Sequence, residues 1–156
     1  MEKRYLDNRY AGPFCQAAYP STDIVLAVDI RWPVLAVISA GGALGALARY
    51  GLGVAFPHTP GHVPWATFAI NVSGCLLIGV LMVVVGSQKL LRPFLGTGFL
   101  GGYTTFSTYV VDIQQLLGAG KAVTAFAYLA GTLVSAMLAV YLGYVAARAI
   151  LIREMP

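Results

Sequence analysis

Residues 96–112 read GTGFLGGYTTFSTYVVD, and this stretch decides the fold. Four glycines come first, and four Ser or Thr residues follow them within an otherwise apolar run. These residues are Gly96, Gly98, Gly101 and Gly102, then Thr104, Thr105, Ser107 and Thr108. Glycine and small hydroxyl residues form helices poorly, because glycine loses much backbone entropy and the hydroxyls compete for backbone groups. We therefore expect a helix that is broken at about residues 101–105.

The sequence on both sides of this stretch is strongly apolar. The chain is 58% hydrophobic and only 10% charged, whereas a soluble domain has about a quarter charged residues. Between Trp32 and Ala147 the charged residues are Arg49, Lys89, Arg92, Asp112 and Lys121. A chain of 156 residues cannot bury so much apolar surface in one aqueous core. The sequence therefore predicts a multi-pass protein of the cell membrane, with lipid as a partner.

Four apolar stretches are long enough to cross a bilayer, at residues 34–56, 65–85, 94–117 and 122–147. A transmembrane helix needs about 20 residues to cross roughly 30 Å of hydrocarbon. We therefore predict an all-α membrane protein with four transmembrane helices, the third broken in mid-membrane. Backbone freed at such a break must be buried in protein or line a cavity, and broken helices at this depth are typical of ion and substrate sites.

The remaining segments define the predicted domain limits. Residues 1–31 are a flexible N-terminal extension, residues 32–150 form the transmembrane domain, and residues 151–156 are a C-terminal tail. The distribution of Lys and Arg favours a cytoplasmic location for both termini. The net charge of +4 comes largely from the ends and is not interleaved with exposed aromatics, so no nucleic-acid partner is expected.

Three polar residues in the apolar stretches each allow two interpretations. Arg49 either extends to the membrane interface or attracts anions at the mouth of an aqueous cavity. Asn71, one turn after Thr67, either joins two helices or offers its amide to an anion. Asp112 is the only carboxylate in the four stretches, and it caps the helix or pairs with a loop cation unless it has a role in the site.

Small residues recur every four positions in the first and fourth stretches. Such ridges allow close approach of helix backbones in lipid. They consist of Gly41, Gly45, Arg49 and Gly53, and of Ala127, Gly131, Ser135, Ala139, Gly143 and Ala147.

Three sequence blocks together carry a specific resemblance. GGALGALARYGLG (41–53), WATFAINVSGCLLIG (65–79) and GTGFLGGYTTFSTYVVD (96–112) resemble the signature blocks of the CrcB/Fluc fluoride channel family. The similarity covers about residues 34–150. It implies an antiparallel, dual-topology dimer of four-helix subunits that encloses two fluoride pores, with a structural sodium ion at the dimer interface.

The resemblance also implies roles for particular residues. Backbone carbonyls of Gly101 and Thr104 are expected to hold sodium. Asn71 matches the pore asparagine and Arg49 the vestibule arginine, while the two pore-lining rings become Phe106 and Tyr109, the second replacing the usual phenylalanine. Hydroxyls that match a polar track in the family are those of Thr67, Ser107, Thr108, Tyr128 and Thr132.

The resemblance implies passive, electrodiffusive export of cytoplasmic fluoride, which confers fluoride resistance, by a homodimer or by a pair with a homologous subunit. A small multidrug-type transporter is the main alternative, but it needs a membrane-embedded carboxylate, and Asp112 lies near the end of its stretch. A non-conducting membrane assembly subunit is a second alternative. Enzymatic activity is not expected, because serine–histidine catalysis needs both groups within reach, and His58 and His62 are confined to a short loop.

Overall fold

The structure, a computed structural model, describes residues 32–86 and 88–154. Within this part of the chain, three helices are long and apolar enough to cross a membrane: α1 (Trp32–Ala55), α2 (Trp65–Val84) and the last helix, Ala122–Glu154. These helices lie within or extend the first, second and fourth predicted stretches. The predicted extension at residues 1–31 lies outside the described residues. The last helix continues into residues 151–154, although the domain limits themselves stay predictions.

The third apolar stretch is divided into three segments. These are α3 (Pro93–Leu100), which is wound as a π-helix, the single turn α4 (Gly101–Tyr103), and α5 (Ser107–Gly118); the last helix is therefore α6. None of these three segments alone has the length needed to cross a bilayer. The predicted interruption is confirmed.

The position of the interruption differs from the prediction. Residues 101–103 stay helical, and the backbone becomes extended only at Thr104, with φ −75° and ψ 158°. Gly102 is instead required by close packing, because a Cβ there would meet the carbonyl group of Gly42 in α1. Gly102 therefore serves helix contact, and the break falls on residues 104–106.

The helices pack in two groups, α1 against α3 and α4, and α2 against α6. In the first group, a Cβ on Gly45 would meet the backbone of Phe99 and come within 2.8 Å of the Tyr103 nitrogen. In the second group, a Cβ on Gly143 would likewise meet the backbone of α2. Part of each predicted ridge thus packs within the chain, whereas a Cβ on Gly53 of α1 would have no neighbour within 4 Å among the described residues.

Large apolar side chains cover the outside of the subunit. Leu133 is 58% and Val123 is 85% exposed, while Leu116 in a small inner cluster is only 1% exposed. Apolar surface of this kind is stable against lipid and costly against water. The chain is a multi-pass membrane protein.

Candidate functional site

A side chain of α2 holds the interruption open. The Asn71 amide nitrogen donates to the Thr105 carbonyl oxygen at 2.9 Å, and the Thr105 N–H donates to Asn71 Oδ1 at 2.9 Å. Asn71 therefore pairs with both backbone groups of one residue, as a neighbouring strand would. Unpaired backbone groups are costly in lipid, so this contact stabilises the non-helical segment.

The Thr105 hydroxyl provides a second replacement for a helical hydrogen bond. It accepts the N–H of Thr108 at 3.1 Å and donates to the Thr108 hydroxyl at 3.0 Å, which is the geometry of a helix N-cap. In a continuous helix the N–H groups of Thr105 and Thr108 would donate to the carbonyls of Gly101 and Thr104. These two carbonyls therefore lose their usual donors, and they are the pair that the sequence predicted as sodium ligands.

Three cavities are lined by predicted site residues, and we name them by their position. The outer cavity, of about 360 Å³, contains Arg49, Thr67, Thr105 and Thr108 in its lining. The central cavity, of about 250 Å³, contains Asn71, Thr104, Thr105, Phe106, Tyr109 and Thr132. The distal cavity, of about 260 Å³, contains Tyr128, Thr132 and Ser135. Thr105 lines the first two cavities and Thr132 the last two, so the central cavity is a neighbour of each of the others.

The aromatic residues of the site form a chain of contacts between α5 and α6. The ring centroids of Phe106 and Tyr109 lie 5.9 Å apart, and those of Tyr109 and Tyr128 lie 5.4 Å apart. The Tyr109 hydroxyl donates to the Leu129 carbonyl oxygen at 2.7 Å. The hydroxyl that distinguishes Tyr109 from phenylalanine therefore binds α6, and the ring faces the central cavity.

The predicted hydroxyl track divides into a buried and an exposed part. Thr67, Tyr128 and Thr132 are only 5–6% exposed, whereas Ser107 and Thr108 are exposed on the subunit. Among the described residues, the Tyr128 hydroxyl and Thr132 Oγ1 have no hydrogen-bond partner. Buried hydroxyls without a partner are uncommon in proteins, so these two are available to a ligand or to water.

The outer cavity contains a histidine that sequence reasoning did not assign to the site. His58 lies in its lining together with Arg49, and the His58 Nε2 is 3.3 Å from Asp112 Oδ1. Asp112 thus pairs with a loop residue, as one interpretation of the sequence expected. A histidine in a loop belongs to no periodic sequence pattern. Only its contact with Asp112, the one carboxylate in the four apolar stretches, distinguishes it.

Comparison with known proteins agrees with this geometry. The family described as CrcB-like protein, Camphor Resistance (CrcB), matches residues 36–144. The chain belongs to the CrcB family. This match covers both halves of the interrupted segment, the Asn71 contact and most of α6, so all three cavities lie within the CrcB region.

Several relatives are similar over most of the chain. A protein of Nocardia farcinica named fluoride-specific ion channel FluC 2 is 55% identical over 119 residues, or 74% of this chain and 85% of that protein. A protein of the same name from Streptomyces avermitilis is 54% identical over 105 residues, or 65% and 66% of the two chains. Fluoride-specific ion channel FluC 1 of Streptomyces coelicolor is 49% identical over 123 residues, or 76% and 80%. These relatives are named as ion channels and not as enzymes.

Proposed function

We propose that this chain is a subunit of a fluoride-selective channel, through which cytoplasmic fluoride leaves the cell by passive electrodiffusion and which thereby confers fluoride resistance. The names of the relatives support fluoride as the ion. The observation that carries the proposal is the central cavity, where Asn71, Thr132 and two aromatic rings meet beside an interrupted helix. The cavity has polar donors, and none of the described residues that line it is charged.

The chemistry of this cavity suits a small, strongly hydrated anion. Such an ion passes only if donors replace its water, and it leaves only if no site binds it too tightly. The Asn71 amide has two N–H groups, of which one donates to Thr105, so the second is available. The edges of aromatic rings carry partial positive charge and add weak attraction. A fixed Lys or Arg at this point would slow release, and Arg49 lies instead in the outer cavity.

The proposal includes a structural sodium ion held by the backbone carbonyls of Gly101 and Thr104. Its support is that Thr105 and Thr108 donate their N–H groups to side chains and not to these carbonyls. Oxygen ligands suit a hard cation of this kind. If the assignment is right, purified protein loses stability when sodium is replaced by a large organic cation, and it regains this stability when sodium returns.

The working assembly in this proposal is an antiparallel dual-topology dimer, either of two copies or with a homologous subunit. The proposal is supported by the exposure of residues beside the break, which a partner would cover. Phe106 is 77% exposed, and Gly101 is also exposed. Four transmembrane passages per subunit follow if α3, α4 and α5 together cross the bilayer once. Purification of two differently tagged copies tests whether the chain pairs with itself and conducts without a second gene product.

The decisive experiment measures ion efflux from liposomes that contain the purified protein, with chloride as the control anion. We expect rapid fluoride efflux, little chloride efflux, and no fluoride efflux from Phe106→Ile. Phe126→Ile is a matched control, because Phe126 is also largely exposed (65%) but lies outside the three cavities. Wild-type flux in Phe106→Ile would refute the assignment of the pore. Absence of fluoride flux in the unaltered protein would favour a non-conducting assembly subunit.

A further inference from the structure

The loop between α1 and α2 brings a titratable side chain to the outer cavity. His58 is 31% exposed, and its Nε2 lies 3.3 Å from Oδ1 of Asp112, which is only 3% exposed. The same cavity contains Arg49. A histidine and an arginine thus line the same cavity.

The contact with Asp112 fixes how the imidazole can change its charge. With Nε2–H donating to the carboxylate, the neutral ring keeps Nδ1 as an acceptor, and protonation converts Nδ1 into a donor. Whatever the charge of Asp112, the pair gains one positive charge when the ring is protonated. The carboxylate therefore orients the histidine and leaves Nδ1 as the second site for a proton.

Apart from Asp112, the described groups around His58 offer no carboxylate. Arg49 and Tyr50 of α1 line the same cavity, and α2 contributes the uncharged Thr67. Tyr128 of α6 lies behind Asp112, close enough to interact with its charge. At the other end of the loop, Lys121 donates to the Gly61 carbonyl at 2.8 Å and holds the loop in place. Among the groups lining the cavity, only Arg49 and His58 can carry positive charge near pH 7 or below.

We infer that His58 is a second group of the outer cavity that attracts small inorganic anions, and that it does so more strongly when its imidazole is protonated on acidification. The inference rests on the proposed function, because it concerns how fluoride reaches the central cavity. One added elementary charge at 5–8 Å across water changes the local concentration of a monovalent anion by about threefold. Since salt screens such a charge within about 10 Å at 0.1 M, the effect decreases as ionic strength rises.

The test uses fluoride currents in planar bilayers at low fluoride concentration, with the same pH on both sides. Neutral hydrogen fluoride carries no current, so its leakage does not affect the measurement. Between about pH 7.5 and about pH 5.5, where imidazoles change charge, we expect the current of the unaltered protein to rise about threefold. His58→Gln is expected to conduct at both values without this rise. His62→Gln is the matched control, because His62 is exposed in the same loop and lies outside the outer cavity, so it should retain the rise.

A second variant separates charge from structure. His58→Lys carries a positive charge at both pH values, so it should show the higher current already at about pH 7.5, and an impermeant salt should reduce it. A pH response that persists in His58→Gln or in His58→Lys would overturn the role of His58 while leaving the channel proposal intact. If His58→Gln does not fold, His58→Lys alone decides. No fluoride current in the unaltered protein at either pH would overturn both proposals.

Discussion

Replacement of Asn71 by alanine tests the hydrogen-bond exchange that opens the third helix. The substitution removes two hydrogen bonds of 2.9 Å, both to the backbone of Thr105. Interhelical hydrogen bonds in membranes contribute about 0.6–1.7 kcal/mol each. We therefore expect the free energy of unfolding to fall by about 1–3 kcal/mol, at the lower end if water from the central cavity reaches the freed groups. Fluoride efflux should be lost, because the pore donor is removed and the break is no longer fixed.

Asn71→Asp separates the loss of the pore donor from the loss of the contact that fixes the break. Its carboxylate can still accept the Thr105 N–H, but it places an acceptor against the Thr105 carbonyl and a negative charge in the path of an anion. Fluoride efflux should therefore be lost even if part of the stability remains. Ser73→Ala is the matched control on α2, because the Ser73 hydroxyl contacts Ile70 and Tyr103 and not the break. Its free energy of unfolding should lie within about 1 kcal/mol of that of the unaltered protein, and its fluoride efflux should be normal.

Denaturant titration of the purified protein gives the free energy of unfolding, and liposome efflux gives the flux of the same preparation. If Asn71→Ala has the same free energy of unfolding and the same fluoride efflux as the unaltered protein, Asn71 neither stabilises the break nor lines the ion path, and the reasoning is refuted.

The same two measurements test three further contacts. Gly45→Ala places a Cβ against the backbone of α3 and should cost about 1–3 kcal/mol, whereas Gly53→Ala meets nothing within 4 Å and should be neutral or stabilising by up to about 1 kcal/mol. Tyr109→Phe removes the hydrogen bond to Leu129 and should cost about 0.5–1.5 kcal/mol while efflux continues; loss of efflux would instead show that the hydroxyl acts on the ion. Thr105→Val removes the cap of α5 and should cost about 1 kcal/mol, while Thr105→Ser should retain it; equal stability of the two variants would contradict the capping role.

The sequence predicts which segments are helical more reliably than it predicts where the third helix breaks. Bilayer thickness sets the length of a transmembrane helix, and an apolar run of that length is a local feature of the sequence. The number and limits of the apolar stretches can therefore be predicted from the sequence. The position of the break depends on tertiary contacts. Gly101 and Gly102 suggested unwinding, but Gly102 remains helical against α1, and the chain departs from the helix only where Asn71 and Thr105 supply alternative partners. Helix propensity alone does not contain these contacts.

The same is true of the site, where the sequence shows which residues are unusual but not which residues they contact. Asn71 and Asp112 were conspicuous in the sequence because polar groups in lipid require partners, yet the partners themselves were not identifiable. The Asp112 partner is His58, in a loop whose sequence gives no indication of the direction of its side chains. Loop histidines next to buried carboxylates therefore have to be found from coordinates.

The two interpretations of Asn71 in the sequence, a helix staple and an anion donor, are compatible because of how its amide is used. Thr105 has one N–H, and once this group donates to Asn71 it cannot donate to Gly101. The exchange places the Asn71 amide, with one N–H still available, beside the central cavity. It also frees the carbonyl of Gly101 in α4. Freed carbonyls attract cations and free amide N–H groups attract anions, so one local change in hydrogen bonding supplies both kinds of ligand. In a continuous helix the Gly101 carbonyl would keep its usual donor, so the Asn71–Thr105 contact links the proposed sodium site to the proposed fluoride site.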